Sequence, residues 1–256
     1  MYQQPNAPQS IGGVLDSGFK LYREALPQAW LLAALAALAT APVNLLQPYF
    51  IRTGFGGVIG LPGLLLIAAA LAAVVLYAAL ISKIDAVARG AQLSIGGALS
   101  VGLQKMAGMI LSGLAAGVAV IVGLCLFVIP GLIFIIWFVF APMALVIERR
   151  GPLESLSYSR ALVRGHWWRT AALLTIIGIV LFVVYMLFGV GVSIAVIMDP
   201  VAAQAGEVPW YVSLLVGPVL AALIGPLTYS LMLAIFYDLR LRHEGGDLAA
   251  RIAATA

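Results

Sequence analysis

Long apolar runs separated by short polar stretches occupy almost the whole chain. A helix needs roughly 20 mostly apolar residues to cross a bilayer core about 30 Å thick. Six segments meet that need: Ala29–Gln47, Leu64–Ser82, Met109–Val128, Leu132–Ile147, Ala171–Met198 and Tyr211–Tyr237. Only Ile129-Pro130-Gly131 separates the third from the fourth. Pro130 fixes φ and Gly131 permits left-handed backbone, so the sequence predicts a tight reversal there rather than one very long helix. The predicted fold is all-α, a polytopic membrane bundle of six spans.

A second pattern lies between the spans. Ser10-Ile11-Gly12-Gly13 recurs as Ser94-Ile95-Gly96-Gly97, and Leu15/Leu99 and Gly18/Gly102 extend the match at an offset of 84 residues. In both copies apolar or small residues fall on one helical face, which predicts Ser-capped amphipathic helices lying at the membrane interface. A third copy is read from Pro152, although Arg160 and Arg164 interrupt its apolar face. The predicted unit is one interfacial helix plus a hairpin of spans, used three times over residues of about 10–90, 94–150 and 152–243. A disordered tail is expected over 1–9 and a second tail over 244–256.

Composition agrees with a chain surrounded by lipid. Of its 256 residues 63% are hydrophobic and 9% charged, with a mean hydropathy of +1.10, whereas soluble domains carry about 25% charged residues. Thirteen of the 14 Lys and Arg residues fall on the side of the N-terminus in the six-span arrangement; Arg52 is the exception. By the positive-inside rule both termini are cytoplasmic. Asp199 and Glu207 fall in the outer loop before the sixth span. The net charge of +4 is spread in small clusters, which speaks for membrane orientation rather than nucleic-acid binding. No secretory signal pattern is read in MYQQPNAPQS. The lone Cys125 reads as a small buried hydrophobe.

Candidate chemistry is sparse. The six apolar runs contain no Asp, Glu, Lys, Arg or His, which argues against ion-coupled transport and against a metal at membrane depth. Neutral polar residues, among them Asn44, Gln47, Tyr77, Ser112, Tyr185, Thr228, Tyr229 and Ser230, read first as interhelical hydrogen-bond partners and second as the lining of a cavity. Gly113 and Gly117 form a GxxxG packing face. Pro42, Pro62-Gly63, Pro142, Gly217-Pro218 and Gly225-Pro226 are candidate helix breaks, and the last two pairs make the sixth span the expected discontinuous helix. His166 and His243 accompany no catalytic motif. Asp238, Glu244 and Asp247 near His243, interleaved with Arg240 and Arg242, read as a solvated helix of mixed charge rather than metal ligands. Neither catalytic residues, nor a metal, nor a cofactor is expected.

One basic stretch suggests a binding role. Arg149, Arg150, Arg160, Arg164, His166, Trp167, Trp168 and Arg169 combine cations with indoles at the expected cytoplasmic interface. Tryptophan favours that interface, and each cation near anionic lipid contributes about 1 kcal/mol. Anionic lipid headgroups are therefore the expected partners of Arg149, Arg150, Arg160, Arg164, Trp167, Trp168 and Arg169, with a second copy or another membrane protein as a further candidate partner.

Three stretches carry a family resemblance. They are Ser10–Leu15 with Phe19-Lys20-Leu21-Tyr22-Arg23; Pro142 and Val146–Gly151, continuing to Ser159–Gly165; and the tail Tyr237–Leu248. Together they resemble stand-alone bacterial six-span proteins similar to the membrane domain attached to some glycerophosphoryl diester phosphodiesterases. The resemblance implies an inner-membrane protein. It does not carry the phosphodiesterase chemistry, which belongs to a separate soluble barrel. The expected role is a non-enzymatic scaffold, accessory or lipid-interacting protein. The alternative is a permease for a small molecule or lipid, with a cavity between the repeats.

Overall fold

The computed structural model describes residues 2–53, 60–199 and 216–255. Among these the chain is helical, in the order α1 (Ile11–Ala39), α2 (Ala41–Thr53), α3 (Leu61–Ala88), α4 (Ile95–Leu126), α5 (Val128–Phe138), α6 (Ala141–Ile147), α7 (Pro152–Val163), α8 (Trp167–Met198) and α9 (Gly217–Thr255). Six stretches are long and apolar enough to cross a membrane: Ile11–Val43, Leu61–Ala88, Ile95–Leu126, Val128–Ile147, Trp167–Met198 and Gly217–Gly245. The chain folds as a helical membrane bundle. Glu207 and Tyr211 lie outside the described residues, as do the side chains of Asn44, Gln47, Arg52, Asp247 and Arg251.

The amphipathic segments differ from expectation. They are not separate interfacial helices: α1 and α4 run unbroken from their Ser caps into the spans. At 1.5 Å rise per residue α4 is about 48 Å long, well beyond a bilayer core of about 30 Å. Its first turns therefore project from the apolar layer, which is why they are amphipathic. Of the three amphipathic segments, α7 alone is a separate short helix.

The hairpin turns at Phe127, whose extended backbone (φ −162°, ψ 151°) ends α4 and begins α5. The reversal thus comes earlier than predicted, and Pro130 and Gly131 lie after it in the first turn of α5. Pro is tolerated there because that turn's N–H groups have no helical partner. Gly131 serves close approach instead: a Cβ on Gly123 would come within 3.0 Å of its Cα. The sixth span is likewise unbroken. Gly217 and Pro218 open α9, and the helix continues through Gly225 and Pro226. Pro142, by contrast, does mark a break, at Val139–Phe140 between α5 and α6. Ser159 of α7 repairs it, accepting the Phe140 N–H at 3.2 Å and donating to the Trp137 carbonyl at 2.6 Å. Cys125 is exposed on α4, not buried.

The three interfacial segments share a register. Their N-caps Ser10, Ser94 and Gly151 have nearly the same backbone angles, φ/ψ of −67°/166°, −68°/158° and −65°/165°. Ser10 and Ser94 accept the N–H of Gly13 and Gly97. Eight residues after each cap stands a small residue at a helix crossing: Gly18 against Leu231 of α9, Gly102 against the Val75 carbonyl of α3, Ser159 against the Trp137 carbonyl of α5. So α4 packs on α3, α7 on α5 and α6, and α1 closes the ring on α9. Each unit rests on the last span of the unit before it. α8 joins this ring loosely, through α5 and α9, and its buried residues Thr170, Leu173 and Ile177 all lie in its first half.

Candidate functional site at the charged end of the bundle

The last span of each unit ends in a carboxylate: Asp85 after α3's apolar run, Glu148 just past α6, and Asp238 in α9. Asp85 and Asp238 are 2% and 3% exposed. A buried carboxylate is tolerated only when paired and hydrogen-bonded, and α9 supplies contacts to all three. The Tyr237 hydroxyl donates to Asp85, which also pairs with Arg89 one turn along α3. Arg240 donates to Glu148 at 2.8 Å and to Glu244 at 2.7 Å.

Asp238 itself is the densest node. It accepts from Arg169 at the start of α8, from Arg242 one turn along, both at 3.0 Å, and from the Gln9 backbone N–H at 2.7 Å. The Gln9 carbonyl returns to the same two guanidinium groups at 2.6 and 2.7 Å. The segment expected as a free tail is thus held through Gln9 beside the charged network. Over it, Gln4, Pro5 and Asn6 roof a cavity of about 430 Å³ whose floor includes Asp85, Glu148, Tyr237 and Arg240. Burial pushes the Tyr2 phenol in this segment up to about 12. The solvated mixed-charge helix read in the sequence is corrected here: Asp238 turns inward to meet Arg242 and Arg169, while Arg240 reaches Glu148 and Glu244.

The predicted lipid-contact residues separate by partner. Arg169 faces inward to Asp238 and is spent on structure. Arg150 pairs with Glu154 at 2.5 Å and stacks over the Tyr158 ring at 4.1 Å. That guanidinium, with the Gly151 N–H, holds the Glu154 carboxyl below its ordinary range. Burial, aided by the charge of Glu148, raises the Tyr158 phenol. Arg149 is exposed, in left-handed backbone at φ 54°.

Arg160 and Arg164 are different. Both are exposed, and among the described residues neither has a carboxylate partner. They border a groove of about 530 Å³ whose apolar part is Phe138, Leu153, Leu156 and Ala161. Arg160 lies 4.4 Å above the Trp137 ring, a cation–π contact that restricts its guanidinium. Trp168 is 81% exposed, and Trp167 packs edge-on against it with a buried, unpartnered Nε1.

The pairing residues Asp85, Tyr237, Asp238 and Gln9 carried little signal in hydropathy. Their clue was the repeated spacing Asp-x-x-x-Arg, Asp85/Arg89 and Asp238/Arg242, at the same place in two units. A family model described as a domain of unknown function (DUF7847) matches residues 84–239, more than half of the chain. The chain belongs to that family. The DUF7847 match begins one residue before Asp85 and ends one residue after Asp238, so it encloses all three carboxylates and the α7 groove. It does not connect the chain to glycerophosphoryl diester phosphodiesterases. No curated protein and no solved structure matches.

Proposed function

We propose that this is a non-enzymatic scaffold or accessory protein of a bacterial inner membrane that holds anionic lipid headgroups at its charged, cytoplasmic end. The observation that carries the reading is the sorting of cations. Arg169, Arg240 and Arg242 are neutralised by carboxylates, while Arg160 and Arg164 stand unneutralised on the rim of an apolar groove. A phospholipid needs that combination, a cation pair for phosphate and an apolar wall for the first acyl carbons.

The permease alternative drew on a discontinuous sixth span, and α9 runs unbroken through Pro226. The carboxylates at the charged end also read as fixings between helices. The cytoplasmic placement of both termini rests on the basic asymmetry, and the resemblance to phosphodiesterase-linked membrane domains is in keeping with a bacterial inner membrane. The test is native mass spectrometry of the detergent-purified protein with phosphatidylglycerol or phosphatidylcholine added. Bound phosphatidylglycerol should fall at least several-fold in R160A/R164A, with phosphatidylcholine unchanged. Equal phosphatidylglycerol occupancy in parent and variant would refute the site.

A further inference from the structure

A second site lies deeper, between α1, α3, α8 and α9. A cavity of about 170 Å³ there is ringed by Tyr77, Tyr185 and Tyr229, with Thr40, Thr228 and Gly225 completing its polar and open parts. At 1.5 Å per residue Tyr77 stands about 9 Å before Lys83 on α3, Tyr229 about 14 Å before Asp238 on α9 and Tyr185 about 24 Å beyond Arg169 on α8, so the phenols lie inside the apolar runs, below the charged end. The Tyr77 and Tyr229 rings meet at 6.0 Å.

We infer that this cavity binds the ring-sized carbonyl head of a neutral, membrane-dissolved molecule of the quinone class. Among the described residues none of the three phenol hydroxyls has a hydrogen-bond partner. In hydrocarbon an unsatisfied hydroxyl is costly. The threonines do not answer them by donation, because Thr40 and Thr228 give their protons to the Ala37 and Ile224 carbonyls. The phenols are therefore the free donors of the cavity, and their complement is an acceptor oxygen. With no charged group in the lining, the acceptor is neutral.

Size and depth choose among neutral acceptors. The cavity is smaller than the about 300–1,000 Å³ of a drug-sized site, which leaves room for one substituted ring. An acylglycerol carries its hydroxyl to the aqueous interface, whereas a quinone ring is apolar enough to reside at this depth. The tail has an exit. No residue of α8 is buried beyond Ile177, and Tyr185 is half exposed, so the cavity opens sideways into lipid.

The test uses the purified full chain in nanodiscs and an azido-substituted quinone as photolabel, with labelled peptides mapped by mass spectrometry. Labels should fall on the α3, α8 and α9 peptides that carry the three tyrosines, and decylubiquinone should displace them. Y77F/Y229F removes two donors while keeping both rings, and should weaken competition about ten-fold. Gly225→Ala is a second variant: its Cβ would stand 3.9 Å from Leu80, an ordinary contact, and its methyl group would occupy part of the cavity and reduce labelling. Labels elsewhere, equal displacement by dioleoylglycerol, or undiminished competition in both variants would overturn the assignment.

Discussion

The phenol of Tyr237 donates to the Asp85 carboxylate, joining α9 to α3 across 152 positions of sequence. Among the described residues the other side-chain partner of Asp85 is Arg89, itself largely exposed. Tyr237→Phe keeps the ring against Phe236 and removes one hydrogen bond to a buried charge. It should lower stability by about 1–3 kcal/mol, seen as a lower apparent Tm in detergent. The pair should also show coupling in a double-mutant cycle with Asp85→Asn. Additive effects of the two substitutions would mean that the contact contributes nothing of its own.

Asp238 should be the more sensitive carboxylate, because two guanidinium groups and the Gln9 N–H converge on it. Removing one member of a buried ion pair costs about 3–5 kcal/mol by leaving the rest uncompensated. Asp238→Ala should therefore destabilise the bundle more than Tyr237→Phe does. It should also release the N-terminal segment. Deuterium uptake by amides of residues 3–10 should rise in the variant while the α1–α9 contact near Gly18 stays protected. Uptake unchanged in that segment would show that Gln9 is held by something other than Asp238.

The contrast between these buried charges and the spans shows what a hydropathy pattern carries. Lipid forces spanning helices to be apolar over a long run, so the number of spans could be read directly. Proline was harder, because its missing N–H is harmless in a first turn and disruptive in an interior. Pro62, Pro130 and Pro218 sit at helix starts, Pro226 inside an unbroken helix, and Pro142 at a true break. Asp85 and Asp238 were hidden for a related reason. At the end of a span a charge looks the same in sequence whether it meets water or a guanidinium group in the bundle.

The shared register of the interfacial segments predicts unequal tolerance at glycines that look alike in sequence. A Cβ at Gly102 would run into the Val75 backbone carbonyl, which cannot swing aside as a side chain can. Gly113 and Gly117, the GxxxG pair, have open space where a Cβ would go. Gly102→Ala should cost about 1–3 kcal/mol through forced separation of α3 and α4. Gly113→Ala should be neutral or slightly stabilising, since Ala is the better helix former. Apparent Tm values of the two variants side by side decide the matter, and equal values would remove the close crossing at Gly102.

Acid should loosen the start of α7 before it affects the spans. Glu154 is held below its ordinary carboxylate range first by the Arg150 hydrogen bond and then by the Gly151 N–H, which it accepts at 3.3 Å. A carboxylate whose folded value is depressed contributes fully above its unfolded value of about 4.3, and that contribution disappears as the pH falls through the lower folded value. The first turn of α7 should therefore be firm at pH 6 and mobile at an acid pH below that lowered folded value. A spin label at the exposed Ser157, placed by Ser157→Cys in a Cys125→Ser background, reports that mobility. The parent spectrum should sharpen in acid, while E154Q should be mobile at both values and nearly flat with pH. If E154Q kept the acid-dependent sharpening, another carboxylate would be responsible, with Glu148 beside Tyr158 the next to substitute.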